Sequence, residues 1–241
     1  MILHIQSATQ LSNEQNYSMS WLQFLGVLFI LFPCLSLINI ILTFLPIELY
    51  GYINPNTNKF LLDSIKNVSY ELVALLLLIA FITKYRPLKE LVLPTFDFRV
   101  LKSFRMYIYV LIYYVITLFV DMFVLDKLFP SSVQEQSDAL QLSTLEHYPL
   151  LLLLASGIFA PIFEELVCRG ILLRFFEEKF TFWIAVILSS LIFGIAHAYS
   201  VGVMFSAFVT GIFACLLYKQ TKSIIPAILL HILTNIIAFL H

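Results

Sequence analysis

Long apolar runs separated by short polar connections dominate the pattern of this chain. Seven runs approach or exceed the roughly 20 helical residues that cross a bilayer core of about 30 Å. They cover residues 21–45, 68–82, 106–125, 148–163, 182–197, 201–218 and 224–240. The second run is short, and a start near Ile65 would lengthen it. The pattern therefore predicts an all-α, polytopic membrane helix bundle of about seven helices, with an eighth if residues 46–66 contain a re-entrant segment.

Composition supports the same class of protein. Hydrophobic residues make up 61% of the 241 residues and charged residues 12%, and the mean hydropathy is +0.94. Soluble domains are about half apolar and about a quarter charged, so a soluble fold is excluded, and so is a disordered chain. A net charge of −1 provides no concentrated basic face for a nucleic acid, and no glycine-rich phosphate-binding motif points to a nucleotide. We predict a single integral membrane domain over residues 1–241.

The basic residues predict how the bundle is oriented in the cell membrane. Cytoplasmic connections of multi-pass proteins are enriched in Lys and Arg. With seven helices and a cytoplasmic N-terminus, eleven of the 14 basic residues fall on the cytoplasmic side, and the C-terminus is external. These eleven are Lys84, Arg86, Lys89, Arg99, Lys102, Arg105, Arg169, Arg174, Lys179, Lys219 and Lys222.

Ionisable side chains inside apolar runs are costly in a membrane, so each is a candidate functional group. Glu71 and Asp121 fall near the predicted outer ends of their runs, where an interfacial position explains them. The adjacent Glu164 and Glu165 follow the fourth run directly. Glu165 and Arg169 are i,i+4 neighbours in the order that favours an ion pair.

Helical geometry gives the two adjacent glutamates different surroundings. Glu164 is turned about 100° away from Glu165 and has no cation three or four residues later. An unpaired carboxylate in an apolar site can act as a general base or acid. The alternative is a cytoplasmic helix end at which Glu164, Glu165 and Arg169 are all solvated.

Two further clusters carry imidazoles. Ser190, Gly194 and His197 share one helix face, so a close approach of another helix would bring the imidazole with it; the alternative is an interfacial histidine. His231 and Asn235 are i,i+4 neighbours inside the last run and face the same neighbour. Their alternative role is an interhelical hydrogen-bond pair that only holds helices together.

These groups could activate water. Glu164 would take the proton, His197 would hold the water, and His231 with Asn235 would stabilise an oxyanion. A divalent zinc ion held by Glu164, His197 and His231 is the other possibility, and the residues alone leave both open.

The predicted depths of these residues differ. At a rise of 1.5 Å per residue, Glu164 and His231 lie about 10–15 Å from the cytoplasmic ends of their helices. His197 lies about 25 Å from Phe180 at the cytoplasmic end of the fifth run, and therefore nearer the external side. Either the fifth helix is tilted or starts late, or His197 lies outside the site.

The ordered motifs EExxxR, FxxxH and HxxxN, on three separate runs, resemble the CAAX-protease and bacteriocin-processing (CPBP) family. This family includes the type II CAAX prenyl endopeptidases, often described as intramembrane metalloproteases. The resemblance covers about residues 148–241, which becomes the expected catalytic core, and it implies a glutamate-dependent mechanism without a metal or other cofactor. By position it implies that Glu164 is the catalytic base and that His197 is its partner on the water. It implies that His231 and Asn235 stabilise the oxyanion, and that Glu165 and Arg169 are structural.

The resulting prediction is an intramembrane endopeptidase whose partners are the lipid bilayer and a membrane-associated peptide or protein substrate. The resemblance suggests a prenylated protein, or a bacteriocin or pheromone precursor. One alternative is a non-catalytic bacteriocin self-immunity or membrane scaffold protein with the same fold. A proton-coupled transporter is a weaker alternative, because no inverted repeat is visible.

Overall fold

A computed structural model describes residues 18–240 of the chain; the first 17 residues and His241, which belong to the predicted domain, lie outside the described residues. The described part is helical and contains no strand. Its helices are α1 (Trp21–Ile53), α2 (Lys59–Lys84), α3 (Arg86–Val92), α4 (Phe104–Leu128), α5 (Ser132–Ala139), α6 (Leu142–Leu145), α7 (Pro149–Lys179), α8 (Phe182–Ala196), α9 (Val201–Thr221) and α10 (Ile225–Leu240).

Seven of these helices are apolar and follow the seven predicted runs in order. Five are long and apolar enough to cross a membrane, namely α1, α2, α4, α7 and α9, whereas α8 and α10 are shorter. The predicted helical membrane bundle is therefore confirmed. The suggested re-entrant segment over residues 46–66 is wrong, because α1 continues to Ile53 and α2 begins at Lys59. Pro46 lies inside α1 without ending it.

The outer helices present their apolar side chains to the surroundings. Only 17% of the α1 span is buried inside the protein, against 39% of the α7 span. Leu22 on α1 and Phe104 on α4 are 82% and 78% exposed. Apolar surface of this extent is unfavourable in water and suits a hydrocarbon environment. The protein is therefore a multi-pass membrane protein, and α7 is its most enclosed long helix.

Helix α7 is much longer than its predicted run. It continues beyond Phe163, through both glutamates, to Lys179, and it contains two wider π-helical turns, Ala155–Phe159 and Leu166–Leu173. Every residue of the second wide turn is buried. The alternative of a solvated helix end at Glu164 is thereby wrong.

Helices α8 and α9 pack closely through small residues, among them Ser190 and Gly194. A Cβ on Gly194 would lie 2.7 Å from the carbonyl oxygen of Met204, and one on Gly211 would lie 3.0 Å from the Cβ of Ser190. Such distances require backbones in near contact, which small residues permit in membrane bundles. This packing fixes the end of α8, where His197 is located.

The basic connection between α2 and α4 lies along one end of the bundle. In α3, Leu88, Leu91 and Val92 are buried, while Arg86 is exposed. A Cβ on Gly170 of α7 would lie 3.1 Å from Val92, so α3 packs directly on α7. The side of the membrane on which this end lies remains a prediction.

Candidate active site

The α7–α8 hairpin brings Glu164 and His197 to the same level. Glu164 lies 16 residues before Phe180 and His197 lies 17 residues after it, so both are about 24–26 Å from the turn at 1.5 Å per residue. The Oε2 atom of Glu164 and the Nε2 atom of His197 are 3.7 Å apart. The predicted depth of Glu164 was therefore wrong, because α7 extends 15 residues beyond it, and a tilt of α8 is not needed.

His197 follows the last residue of α8 and directs its ring towards Glu164. Its Nδ1 atom lies 2.8 Å from the carbonyl oxygen of Phe193. A carbonyl only accepts, so this contact assigns the proton to Nδ1 and leaves Nε2 as an acceptor in the neutral ring. The side chain is 19% exposed. His197 is thus an oriented group at the carboxylate and not a solvated interfacial residue.

His231 on α10 contacts both glutamates. Its Nε2 atom lies 3.5 Å from Oε2 of Glu164, and its Nδ1 atom lies 3.0 Å from Oε1 of Glu165. The side chain is 7% exposed. Because Glu165 occupies Nδ1, the ring is fixed with Nε2 facing Glu164.

The predicted ion pair between Glu165 and Arg169 is confirmed and fully enclosed. The Nη1 atom of Arg169 donates to Oε1 of Glu165 at 2.7 Å, and the two side chains are 0% and 1% exposed. Nη2 donates to the carbonyl of Gly211 at 3.1 Å, and the guanidinium lies 4.7 Å from the ring centre of Phe193. The pair therefore connects α7, α8, α9 and, through His231, α10.

Asn235 lies one turn after His231 on α10, and its amide donates to the carbonyl of Ser156 at 2.8 Å. Ser156 belongs to the first wide turn of α7, where a carbonyl can lack its usual helical partner. Asn235 lines the same cavity as His197 and His231. Its second amide hydrogen remains available to another acceptor.

One oxygen of Glu164 has an unusual environment. Its Oε2 atom is buried and has no hydrogen-bond partner among the described residues, although the two Nε2 atoms are near. Buried carboxylate oxygens are normally hydrogen-bonded. Three potential acceptors converge here, namely Oε2 and the two Nε2 atoms of neutral rings. A small donor that bridges these atoms would satisfy them, and water is the simplest one.

Two cavities meet at this point. The first, of about 280 Å³, lies between α1, α2, α7 and α8 and includes Glu71 and Glu164. The second, of about 290 Å³, lies between α4, α5, α8, α9 and α10 and includes Asp121 and His231. Both are lined by His197.

The structure places Glu71 and Asp121 at these two cavities, and their interfacial position stays a prediction. Asp121 accepts a hydrogen bond from Ser206 at 2.8 Å, and Glu71 faces the first cavity. The cost of a charge inside an apolar run could have identified both. The predicted runs placed both residues near a helix end, but the helices are longer than the runs. Helix α2 begins nine residues before the predicted run at residue 68, and α4 reaches Leu128.

The zinc site suggested for Glu164, His197 and His231 stays a hypothesis. Among residues 18–240, no group of three or more His, Cys, Asp and Glu side chains could hold a metal ion. The expectation that no cofactor is used stays a prediction. The three cysteines are free, and Cys168 and Cys215 are buried.

The fold and the site together define a multi-pass helical membrane protein with a glutamate, two histidines and an asparagine between its helices. Residues 146–237 match the family model "Type II CAAX prenyl endopeptidase Rce1-like". The chain is also 36% identical, over 85 residues, to the "Putative membrane peptidase YdiL" of Bacillus subtilis (strain 168). The resemblance indicated by the three motifs is thereby confirmed over this region.

That alignment covers 35% of this chain and 34% of the Bacillus protein, so the chain spans about a third of that relative's length. No solved structure matches the chain significantly. Both the family and the Bacillus protein are described as peptidases, and the family match includes the segment that contains Glu164.

Proposed function

We propose that this protein is an intramembrane endopeptidase that hydrolyses a peptide bond of a membrane-associated peptide or protein. One observation carries the proposal: a buried carboxylate oxygen of Glu164 without a hydrogen-bond partner among the described residues, 3.5 and 3.7 Å from two imidazole nitrogens. The match of residues 146–237 to a prenyl endopeptidase family model supports the same reaction class.

In this mechanism Glu164 is the general base. A water molecule donates one hydrogen to Oε2 of Glu164 and the other to Nε2 of His197, which keeps an oxygen lone pair directed at the substrate carbonyl. As the water oxygen bonds to the carbonyl carbon, Glu164 takes its proton. When the carbon–nitrogen bond breaks, Glu164 returns this proton to the leaving amine. The products are a new carboxyl group and a new amino group.

The negative charge that develops on the carbonyl oxygen needs donors. We assign this role to the second amide hydrogen of Asn235 and to His231, whose Nε2 must carry a proton to donate. In the doubly protonated ring, Nδ1 donates to Glu165 and Nε2 donates to the carbonyl oxygen, so Glu164 accepts and returns only the proton of the attacking water. Preorganised donors of this kind each contribute about 10²–10³-fold to turnover.

Glu165 and Arg169 act as positioning residues. The Glu165 carboxylate accepts from Nδ1 of His231 and from Arg169 through the same oxygen atom. Its orientation therefore determines the direction in which His231 faces. Neither residue has to contact substrate in this account.

The experiment uses the full chain reconstituted in liposomes with a library of peptides that each carry a hydrophobic membrane anchor. Cleavage is measured by mass spectrometry for the wild type, Glu164→Gln and Glu164→Asp. We expect Glu164→Gln to lose cleavage by at least about 10³-fold, because an amide cannot accept the proton of water. Glu90→Gln, which removes a carboxylate from an ion pair in α3, is the matched control and should cleave normally.

The same reaction tests the metal-independent mechanism. Cleavage should persist after dialysis against a chelator and should not rise when zinc is added. Loss of cleavage that zinc restores would contradict this part of the proposal. Normal cleavage by Glu164→Gln would overturn the proposed base and favour a non-catalytic role for the fold.

A further inference from the structure

The first cavity is lined by acidic side chains without a Lys or Arg partner among the described residues. Its wall contains the two carboxylates of Glu71 and Glu164, and among the described residues no Lys or Arg lines it. A cavity with this charge distribution favours a positively charged occupant.

Asn39 on α1 is a second, independent feature of the same cavity. The residue is 1% exposed, and its amide nitrogen donates to the carbonyl of Tyr70 at 3.0 Å. This bond fixes the amide orientation, because only the NH₂ side can donate to a carbonyl. The other side, Oδ1, is buried and has no partner among the described residues. Buried acceptors are normally hydrogen-bonded, so Oδ1 of Asn39 is an acceptor that a ligand with a donor group could satisfy.

The rest of the wall is apolar. Leu31 and Leu35 of α1, Ala74 of α2, and Val167 and Leu172 of α7 contribute much of it. The volume of about 280 Å³ is close to the lower end of ligand pockets, which begin at about 300 Å³, and suits one or two residues of a peptide. Lys and Arg combine an apolar stem with a charged head that donates several hydrogen bonds. A basic side chain therefore matches both the apolar wall and the unpaired acceptors.

We infer that Asn39 and Glu71 form a subsite for a basic side chain of the substrate, with its ammonium or guanidinium group at the two acceptors and its stem along the apolar wall. Glu164 lines the same cavity, so the basic residue lies next to the bond that is cut. The inference rests on the proposed function and specifies its substrate class: peptides with Lys or Arg within two residues of the cleaved bond.

The test compares two anchored peptides that differ only in Lys or norleucine beside the cleavage site, because norleucine keeps the stem and removes the charge. We expect the wild type to show a kcat/KM at least about tenfold higher for the Lys peptide, the size expected for a charged hydrogen bond. In Glu71→Gln the ratio of kcat/KM for the Lys peptide to kcat/KM for the norleucine peptide should fall to about threefold or less. Asn39→Leu should lower the same ratio, and Glu90→Gln should leave it unaltered.

A binding measurement separates this inference from the proposed function. In the Glu164→Gln background, the affinity for the fluorescently labelled Lys peptide should weaken about tenfold when Glu71→Gln is added, and the norleucine peptide should be unaffected. Absence of a Lys preference in an active wild type overturns the subsite alone. Equal loss on both peptides in Glu71→Gln also overturns it, since that result places Glu71 at the reacting bond. Cleavage that persists in Glu164→Gln instead refutes the proposed base, and the binding result still decides the subsite.

Discussion

Removing Arg169 should destabilise the protein strongly. Its side chain is fully buried, as is that of Glu165, and Arg169→Met leaves the Glu165 carboxylate without its cation. Breaking a buried ion pair on one side costs about 3–5 kcal/mol, because an uncompensated charge remains in a medium of low dielectric constant. The substitution also removes the hydrogen bond to Gly211 and the contact with the Phe193 ring.

The double variant Arg169→Met/Glu165→Gln provides the control. The Glu165→Gln change keeps an oxygen acceptor for Nδ1 of His231 but removes the negative charge, so no charge is stranded. We expect the double variant to recover at least half of the loss, since neutral replacements of buried pairs are often close to neutral in stability.

The assay is reversible unfolding of the purified protein in mixed micelles, followed by far-UV circular dichroism. The free energy of unfolding should fall by about 3–5 kcal/mol in Arg169→Met and much less in the double variant. If Arg169→Met unfolds like the wild type and only turnover is lost, the structural assignment is refuted and Arg169 belongs with the substrate.

Three other substitutions test the site and its frame. Asn235→Leu should lower kcat by about 10²–10³-fold with little change in KM, as loss of one oxyanion donor does; a change confined to KM would contradict the role. His197→Ala should lower kcat by about 10²–10⁴-fold without lowering thermal stability, because the ring is partly exposed and acts on the water; normal turnover would remove His197 from the mechanism. Gly194→Ala should lower the free energy of unfolding by about 1–3 kcal/mol, because its new methyl group meets the Met204 carbonyl oxygen; unchanged stability would show that the two helices can separate without cost.

Local patterns predicted much of this architecture. The apolar runs indicated the seven apolar helices in order, and the spacing of Glu165 and Arg169 indicated their ion pair before any tertiary contact was known. The spacing of Ser190, Gly194 and His197 likewise indicated that they share one helix face. These are short-range properties of a helix, which period and residue type determine directly.

The length of α7 was harder to predict. A charged segment ordinarily ends an apolar run, so the run was placed at 148–163. In the folded protein the pair Glu165–Arg169 removes the net charge from that segment and allows the helix to continue to Lys179. That extension, not a helix tilt, brings Glu164 level with His197.

The contacts between helices that complete the site could not be predicted from local patterns. The bond between His231 and Glu165 joins residues 66 positions apart, and the contact between Asn235 and Ser156 depends on a wide turn in α7. Glu71 lies near Glu164 because α2 packs against α7. The spacing of residues within α2 could not indicate this packing. Pairings between helices depend on packing across the whole bundle and are not contained in one helix.

Glu164 is the proposed general base for the cleavage of a membrane-associated peptide. The most direct test is comparative peptidomics of cells that carry the wild-type gene or a chromosomal Glu164→Gln allele, with secreted and membrane peptides measured by mass spectrometry. We predict that a precursor accumulates only in the mutant and that its processed fragments disappear, while the protein itself is present at normal levels. Identical peptide profiles at equal protein levels would contradict the claim.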